Sequence, residues 1–292
     1  MIERSTDRAI ALRLRRLLAR ATAAYRPLHV DGQAAGWITA ARCHRLADFA
    51  DVFVVRDEAV TFSPALATTP ARTNALDRVT RELARDGALS AWRDERYAVG
   101  PRLTAAPWFL LERAAARYFG VHAWAVHGNG LVRNADSVHM WLARRSPTKA
   151  IDPGMLDNLV GGGVPAGMDP RTAFIKEAWE EAGLPASIAA AALPAGTLHI
   201  RRDTADGLQW ETIFVRDIEL AADYVPANQD GEAVEHRRVA LAEAARLIAL
   251  DAGPDQVTPD ASLVILDALV RRGAIDARGE AAAALTLLAA AP

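Results

Sequence analysis

Cysteine is almost absent: Cys43 is the single one in 292 residues, which excludes an intramolecular disulfide and any secreted disulfide scaffold. That small thiol reads as a core residue. Lysine is nearly as scarce, since only Lys149 and Lys176 occur among 34 basic residues, and arginine is the default cation. The formal net charge of −2 leaves no global basic field for nucleic acid or an anionic membrane, so neither is an expected partner. An anionic small molecule must therefore meet a local cation, from side chains or a bound metal. No apolar run approaches the roughly 20 residues of a membrane-spanning helix. The histidines show no zinc spacing with Cys43, and there is no phosphate-binding P-loop, dinucleotide fingerprint or serine nucleophile elbow. The Arg-rich opening, residues 4–20, carries Leu12, Leu14, Leu17 and Leu18 beside Glu3 and Asp7, which reads as an amphipathic first helix in a cytoplasmic protein rather than a targeting peptide.

A chain of this length favours two domains or one large one, and no solenoid repeat is visible. In the expected first domain, residues 1–118, extended segments are read at 28–38, 51–55, 59–62 and 92–99. A helix opens at Pro70 and ends near Gly87, and a second is read over 107–119. The second domain, residues 119–275, begins with strands at 121–132 and 139–144. A glycine-rich loop at 161–167 and a helix over 170–182 follow. A hairpin turns at Ala205-Asp206-Gly207, a short strand is read at 237–239, and helices over 241–250 and 262–272 close the domain. Residues 276–292 form an Ala-rich tail, read as a loosely attached helix.

The chemistry concentrates at 161–184. Asp169 is a good N-cap, Pro170 suits the first helical position and Gly183 suits a left-handed C-terminal cap. Between these stops, Glu177, Glu180 and Glu181 fall on one helical face. Like charges so placed repel unless a cation compensates them, and a hard divalent ion bound by oxygen does so. Such an ion neutralises phosphates and lowers the pKa of an attacking water. Gly162 and Gly163 let backbone amides approach phosphate oxygens. Each feature alone has a bland account, a solvated face or a flexible loop; order, spacing and capping together point to function.

These residues resemble the Nudix box from Gly162 to Leu184, with Glu177, Glu180, Glu181, Gly183 and Leu184 on the family's positions. Two positions depart. Met168 stands where the box has its first glutamate, with Asp169 adjacent, and Lys176 stands for the box arginine, keeping charge but losing the bidentate fork. The resemblance implies an α/β/α sandwich preceded by a separate α+β domain, magnesium (or manganese) held by Glu177, Glu180 and Glu181, and hydrolysis of a small organic diphosphate. A second resemblance covers most of the chain. It rests on Val30-Asp31-Gly32-Gln33, Trp92-Arg93, Glu95, Tyr97, His127-Gly128-Asn129-Gly130, Pro153-Gly154, Leu156-Asp157-Asn158 and Asn228-Gln229-Asp230-Gly231-Glu232. These are similar to a two-domain Nudix family whose N-terminal domain is related to the region fused to fungal thiamine pyrophosphokinase. It implies thiamine diphosphate or its oxidised analogues as substrate, cleaved to the monophosphate.

Under that reading Glu181 and Glu232 compete as general base, with Lys176 beside them and Glu235 a secondary candidate. Arg144, Arg145 and Lys149 are candidates for diphosphate contacts, Asn158 and Gln229 for a pyrimidine edge, and one of Trp124, Trp141 and Trp210 for ring stacking. Two rival readings keep the box: a hydrolase of ADP-ribose or another nucleoside diphosphate derivative, and an inactive module that binds a diphosphate, for which Met168 and Lys176 argue.

Overall fold

The computed structural model describes residues 2–18, 25–135 and 137–288. In the first half, β1 (Tyr25–Val30) and β2 (Gln33–Thr39) form a hairpin whose turn, Asp31-Gly32, has positive φ at both positions, as a two-residue turn matching strand twist requires. Helix α2 (Ala40–Ala47) follows, then β3 (Phe53–Val55) and β4 (Val60–Phe62), giving a four-stranded sheet in the order β2-β1-β4-β3. Helix α3 (Thr69–Arg85) starts where Thr68 accepts a hydrogen bond from the Ala71 amide, and buries Leu76, Val79 and Leu83 in this unit's core. A separate hairpin, β5 (Arg96–Val99) and β6 (Phe109–Glu112), then leads through a 3-10 turn into α4 (Ala116–Phe119). The helix expected over 107–119 is thus half strand: Phe109 and Leu111 point inward with strand alternation, and β5 pairs with them residue by residue.

The second half is built on a mixed sheet in the order β11-β12-β7-β8-β13, formed by β7 (His122–Arg133), β8 (Val138–Arg145), β11 (Leu193–Thr204), β12 (Gly207–Leu220) and β13 (Ala233–Ala240). Two short strands complete it, β9 (Leu156–Asn158) on β8 and β10 (Val160–Gly163) on β7. Strands β7 and β12 run parallel, and the other pairs antiparallel. On one face α5 (Pro170–Ala182) buries Phe174, Ala178 and Ala182 against Val126, Val160 and Ile218, with α6 (Ala186–Ala190) beside it. The opposite face is covered by α7 (Leu241–Leu247) and α8 (Pro259–Arg271). The result is three layers, helix on sheet on helix.

Two helices are placed differently from the expected domain limits. Helix α1 (Arg4–Leu17) sends Ile10 and Leu14 into the core beneath α8, not into the unit that follows it in sequence. Its Arg13, almost fully buried, donates to the Ile248 carbonyl at 2.9 Å, the Val257 carbonyl at 2.5 Å and Ser262 Oγ at 2.8 Å. The Ala-rich tail is likewise not loose. Helix α9 (Glu280–Leu288) buries Ala281 and Leu285 against the same core, and Asp7 of α1 accepts hydrogen bonds from the first amides of α9.

Candidate active site

Helix α5 is fixed at both ends by the residues expected to fix it. Asp169 accepts hydrogen bonds from the amides of Arg171 (2.9 Å) and Thr172 (3.1 Å), and Gly183 leaves the helix at φ 65°. This frame presents Glu177 and Glu181 towards β10 and buries both. Gly161, Gly162 and Gly163 are not a loop but the body of β10, paired with His127, Val126 and Ala125 of β7. Their lack of side chains has a packing cause. A Cβ on Gly162 would lie 2.3 Å from Cδ of Glu177, and one on Gly163 would lie 2.0 Å from the Tyr97 hydroxyl. The Gly161 amide donates to the Glu181 carboxylate at 2.7 Å.

Burial first, and then the charges of Glu177 and Asp157, push the Glu181 carboxyl well above the usual carboxylate range. Burial raises Glu177 too, against the pull of Lys176. Lys176 lies between its neighbours, donating to Glu177 at 3.2 Å and to Glu180 at 2.5 Å. Burial pulls the Lys176 ammonium down, but its bond to Glu180 and the charge of Glu177 outweigh that and raise it. Among the described residues no three acidic, histidine or cysteine side chains already close on one point as a metal cage. The donor set nevertheless fits a hard cation: Glu181 is buried with the charge of Glu177 beside it and no cation in contact, and Glu177 and Glu180 are bridged by the single ammonium of Lys176.

In front of β10 lies a cavity of about 160 Å³, walled on one side by Gly161, Gly162, Gly163, Arg145 and Lys149 and on the other by the first half of the chain, through Arg93, Tyr97, Arg113 and Arg117. Lys149 and Arg93 converge on one carboxylate, Glu232: Lys149 contacts it directly and Arg93 donates to it at 2.9 Å. Burial works to raise Glu232, but Lys149 and then Arg93 outweigh it and hold the carboxyl below the usual range. Arg145 is paired with Asp157 at 2.9 Å. Farther along the lining stand Asp152, Asp206, Glu211 and Asp260. Burial, followed by the charge of Asp260, raises Asp152.

Of the sequence candidates, Gly162, Gly163 and Lys149 line this cavity, Glu177 and Glu181 lie against its glycine strand, Glu232 is held by its Lys149 and Arg93, and Lys176 and Glu180 are linked to it only through Glu177. Other sequence candidates lie elsewhere. Arg144, near the end of β8, is tied to Glu235 at 2.6 Å and to Asp255 at 2.6 Å, and neither Arg144 nor Glu235 is among the residues that line the cavity. Asp169 is consumed as a helix cap. Gln229 caps the far end of α5, its backbone N–H donating to the Glu180 carbonyl at 2.7 Å and its side chain to the Ala227 carbonyl at 2.6 Å. Asn158 is a buried partner of His127 rather than a surface-facing edge. Trp124 stacks on Phe214, Trp210 stacks on His122, and Trp141 lies under Arg238, so all three rings already have partners. Sequence reasoning assigned no role to Arg93, Tyr97 or His127, although all three stand in the motifs of the second resemblance. Arg113 and Arg117 were hidden in the segment read as plain helix.

Residues 10–123 match a family model described as a domain of unknown function (DUF4743), and residues 126–261 match the NUDIX domain. Nudix hydrolase 24, chloroplastic, of Arabidopsis thaliana is 34% identical over 251 residues, covering 85% of this chain and 68% of that protein. The chain belongs to the Nudix hydrolases. Nudix hydrolase 20, chloroplastic, of the same plant is also 34% identical, over 258 residues, again covering 85% of this chain and 68% of the relative. A solved structure from Deinococcus radiodurans covers 59% of this chain and 97% of its own at 24% identity, with a TM-score of 0.44. The two-domain arrangement is that of the family, with both regions of this Nudix hydrolase represented in the plant relatives. As an enzyme it is a pyrophosphohydrolase acting on phosphoanhydride bonds.

Proposed function

We propose that this Nudix hydrolase cleaves thiamine diphosphate, or an oxidised analogue of it, to the monophosphate and phosphate with magnesium or manganese. The observation that carries the reading is the position of the cavity. It opens where the N-terminal unit meets β10, so a substrate whose diphosphate lies on the glycine strand puts its organic part against the N-terminal unit. The lining suits both parts of such a molecule. Lys149, Arg145 and Arg93 supply positive charge beside the buried glutamates, while Asp152, Asp206, Glu211 and Asp260 offer carboxylates to a cationic, amino-bearing ring system. Four carboxylates are a poor lining for a second anionic group, which disfavours a ligand with phosphates at both ends.

Glu177, Glu180 and Glu181 would hold the divalent ion, which when bound neutralises the phosphates and lowers the pKa of water. The chain's own groups supply the rest. Water attacks the terminal phosphorus, the bond to the bridging oxygen breaks, and the water proton passes to a carboxylate. Glu181, directly against the glycine strand, is assigned as that acceptor, with Glu177 and Glu180 as the ion's principal holders, because Glu232 is already engaged by Lys149 and Arg93. Glu232 instead keeps the two cations poised until a phosphate replaces it.

The test is phosphate and monophosphate release in magnesium from thiamine diphosphate, its oxidised analogues and ADP-ribose. Preferential turnover of the thiamine compounds is expected. Turnover of ADP-ribose alone discards the thiamine assignment and keeps the family chemistry; binding of a diphosphate without turnover of any replaces the enzyme reading with that of a binding module.

A further inference from the structure

His127 of β7 is nine-tenths buried, lines the cavity and lies against Gly161, whose missing Cβ would stand 3.2 Å from His127 Cε1. Nδ1 of its ring is 2.9 Å from Oδ1 of Asn158; Nε2 has no hydrogen-bond partner among the described residues and is not sealed from the cavity. The Asn158 contact is the first link of a buried chain crossing the sheet. Asn158 Nδ2 donates to Asn129 Oδ1 at 3.1 Å, Asn129 Nδ2 donates to Asp217 Oδ1 at 3.0 Å, and Arg271 donates to Asp217 Oδ2 at 2.7 Å. Asn129 and Asn158 are essentially inaccessible to solvent.

The direction of every link follows from its charged end. Asp217, paired with Arg271, only accepts, so the Asn129 amide nitrogen must face it and the Asn129 oxygen must face away. That oxygen receives the Asn158 nitrogen, which leaves the Asn158 oxygen towards the imidazole. An oxygen there requires a proton on Nδ1. A neutral ring with its proton on Nδ1 carries a lone pair on Nε2. We propose that His127 is held as this tautomer so that Nε2 is a fixed hydrogen-bond acceptor for an N–H or O–H group on the organic part of the substrate, with Asn158, Asn129, Asp217 and Arg271 as positioning residues. The assignment rests on the reading of the interdomain cavity as the substrate site. It makes His127 a specificity determinant: a diphosphate without a donor at that place leaves a buried acceptor unpaired, which a hydrogen-bonding site penalises strongly.

Two measurements on the full chain test it. Nitrogen-15 NMR of the histidine-labelled, substrate-free protein is expected to give a protonated Nδ1 and an unprotonated Nε2 for His127, with that preference lost in Asn158→Leu. A protonated Nε2 in the neutral wild-type ring overturns the proposal irrespective of any activity, and so does an unaltered tautomer in Asn158→Leu. For whichever organic diphosphate the enzyme turns over, His127→Leu is expected to raise KM about tenfold with kcat nearly unchanged. His127→Gln, which can return an acceptor to the Nε2 position, is expected to recover most of the loss. Metal-free binding of inorganic pyrophosphate, which has no organic part, is expected to be the same in wild type and His127→Leu. A fall in kcat at constant KM, or equal loss of pyrophosphate binding, overturns the proposal by moving the role of His127 to the reacting water or the phosphates. Failure of the thiamine compounds alone leaves the tautomer result standing and discards only the substrate identity.

Discussion

Replacing Glu181 with glutamine separates the cost of the site from its use. The wild-type carboxylate is buried at 9% exposure, with the Gly161 amide as its hydrogen-bond donor and Glu177 and Asp157 as nearby like charges. Glutamine keeps the shape and an acceptor for Gly161 while removing the charge. Because the folded-state pKa lies above the ordinary glutamate value of 4.5, the native protein retains a proton that the unfolded chain releases. The associated stability is fully present below that value and is lost as pH rises towards the folded pKa. An ionised, poorly compensated buried group costs on the order of 1–3 kcal/mol, equivalent to roughly 2–5 °C in melting temperature for a protein of this size. Glu181→Gln in chelator should therefore melt above wild type at pH 8 and nearly equal to it at pH 4.5. Magnesium should raise the melting temperature of wild type more than that of the variant, while hydrolysis by the variant falls about 10²-fold or more. Thermal melts at the two pH values, with and without magnesium, decide the matter. A variant that melts below wild type at pH 8 in chelator, or gains as much from magnesium, refutes the argument.

Two further substitutions test the frame around the site. Gly162→Ala forces its Cβ into the Glu177 carboxylate, so activity should fall at least tenfold while the urea midpoint moves little, because a side-chain shift of Glu177 relieves the clash; an active variant would show that Glu177 has no fixed place. Arg13→Ala strips the buried partner from two carbonyls and a hydroxyl and opens a void, for an expected loss of about 3–5 kcal/mol in denaturant unfolding; a change below about 1 kcal/mol would mean that α1 contributes little to the core.

What was legible in the sequence is what depends on neighbours in sequence. The limits of α5 could be read from Asp169, Pro170 and Gly183 because caps act within a turn, and Glu177, Glu180 and Glu181 share a face through helical spacing alone. Strand β10 was read as a loop because glycine has weak strand propensity, and its strand form is imposed by pairing with β7 and by the space that Glu177 and Tyr97 occupy. Tertiary pairing likewise overrode the helical reading at Phe109–Glu112. Arg144 and Arg145 are adjacent in sequence, yet one is bound to Glu235 and Asp255 on the edge and the other lines the cavity. His127 could not be singled out for chemistry, since Asn158 lies 31 residues away and Asp217 is reached only through Asn129.

Helix α1 belongs to the core of the second half although it precedes the first half in sequence. Residues 25–121 are flanked in sequence by parts of one core, whose first and last helices pack together: the Ile2 amide donates to the Ala274 carbonyl at 3.2 Å, and α9 lies along α1. A fragment begun at residue 119 would thus be a protein with its cornerstone removed, exposing the surfaces that Ile10, Leu14 and Arg13 now cover. Excising residues 25–118 and rejoining α1 to β7 through a flexible spacer would keep that cornerstone but uncover Phe119, Val121 and Ala123, which now pack in the core of the first unit. Such a minimal enzyme would retain the glutamates and lose its second wall, trading selectivity for an open door.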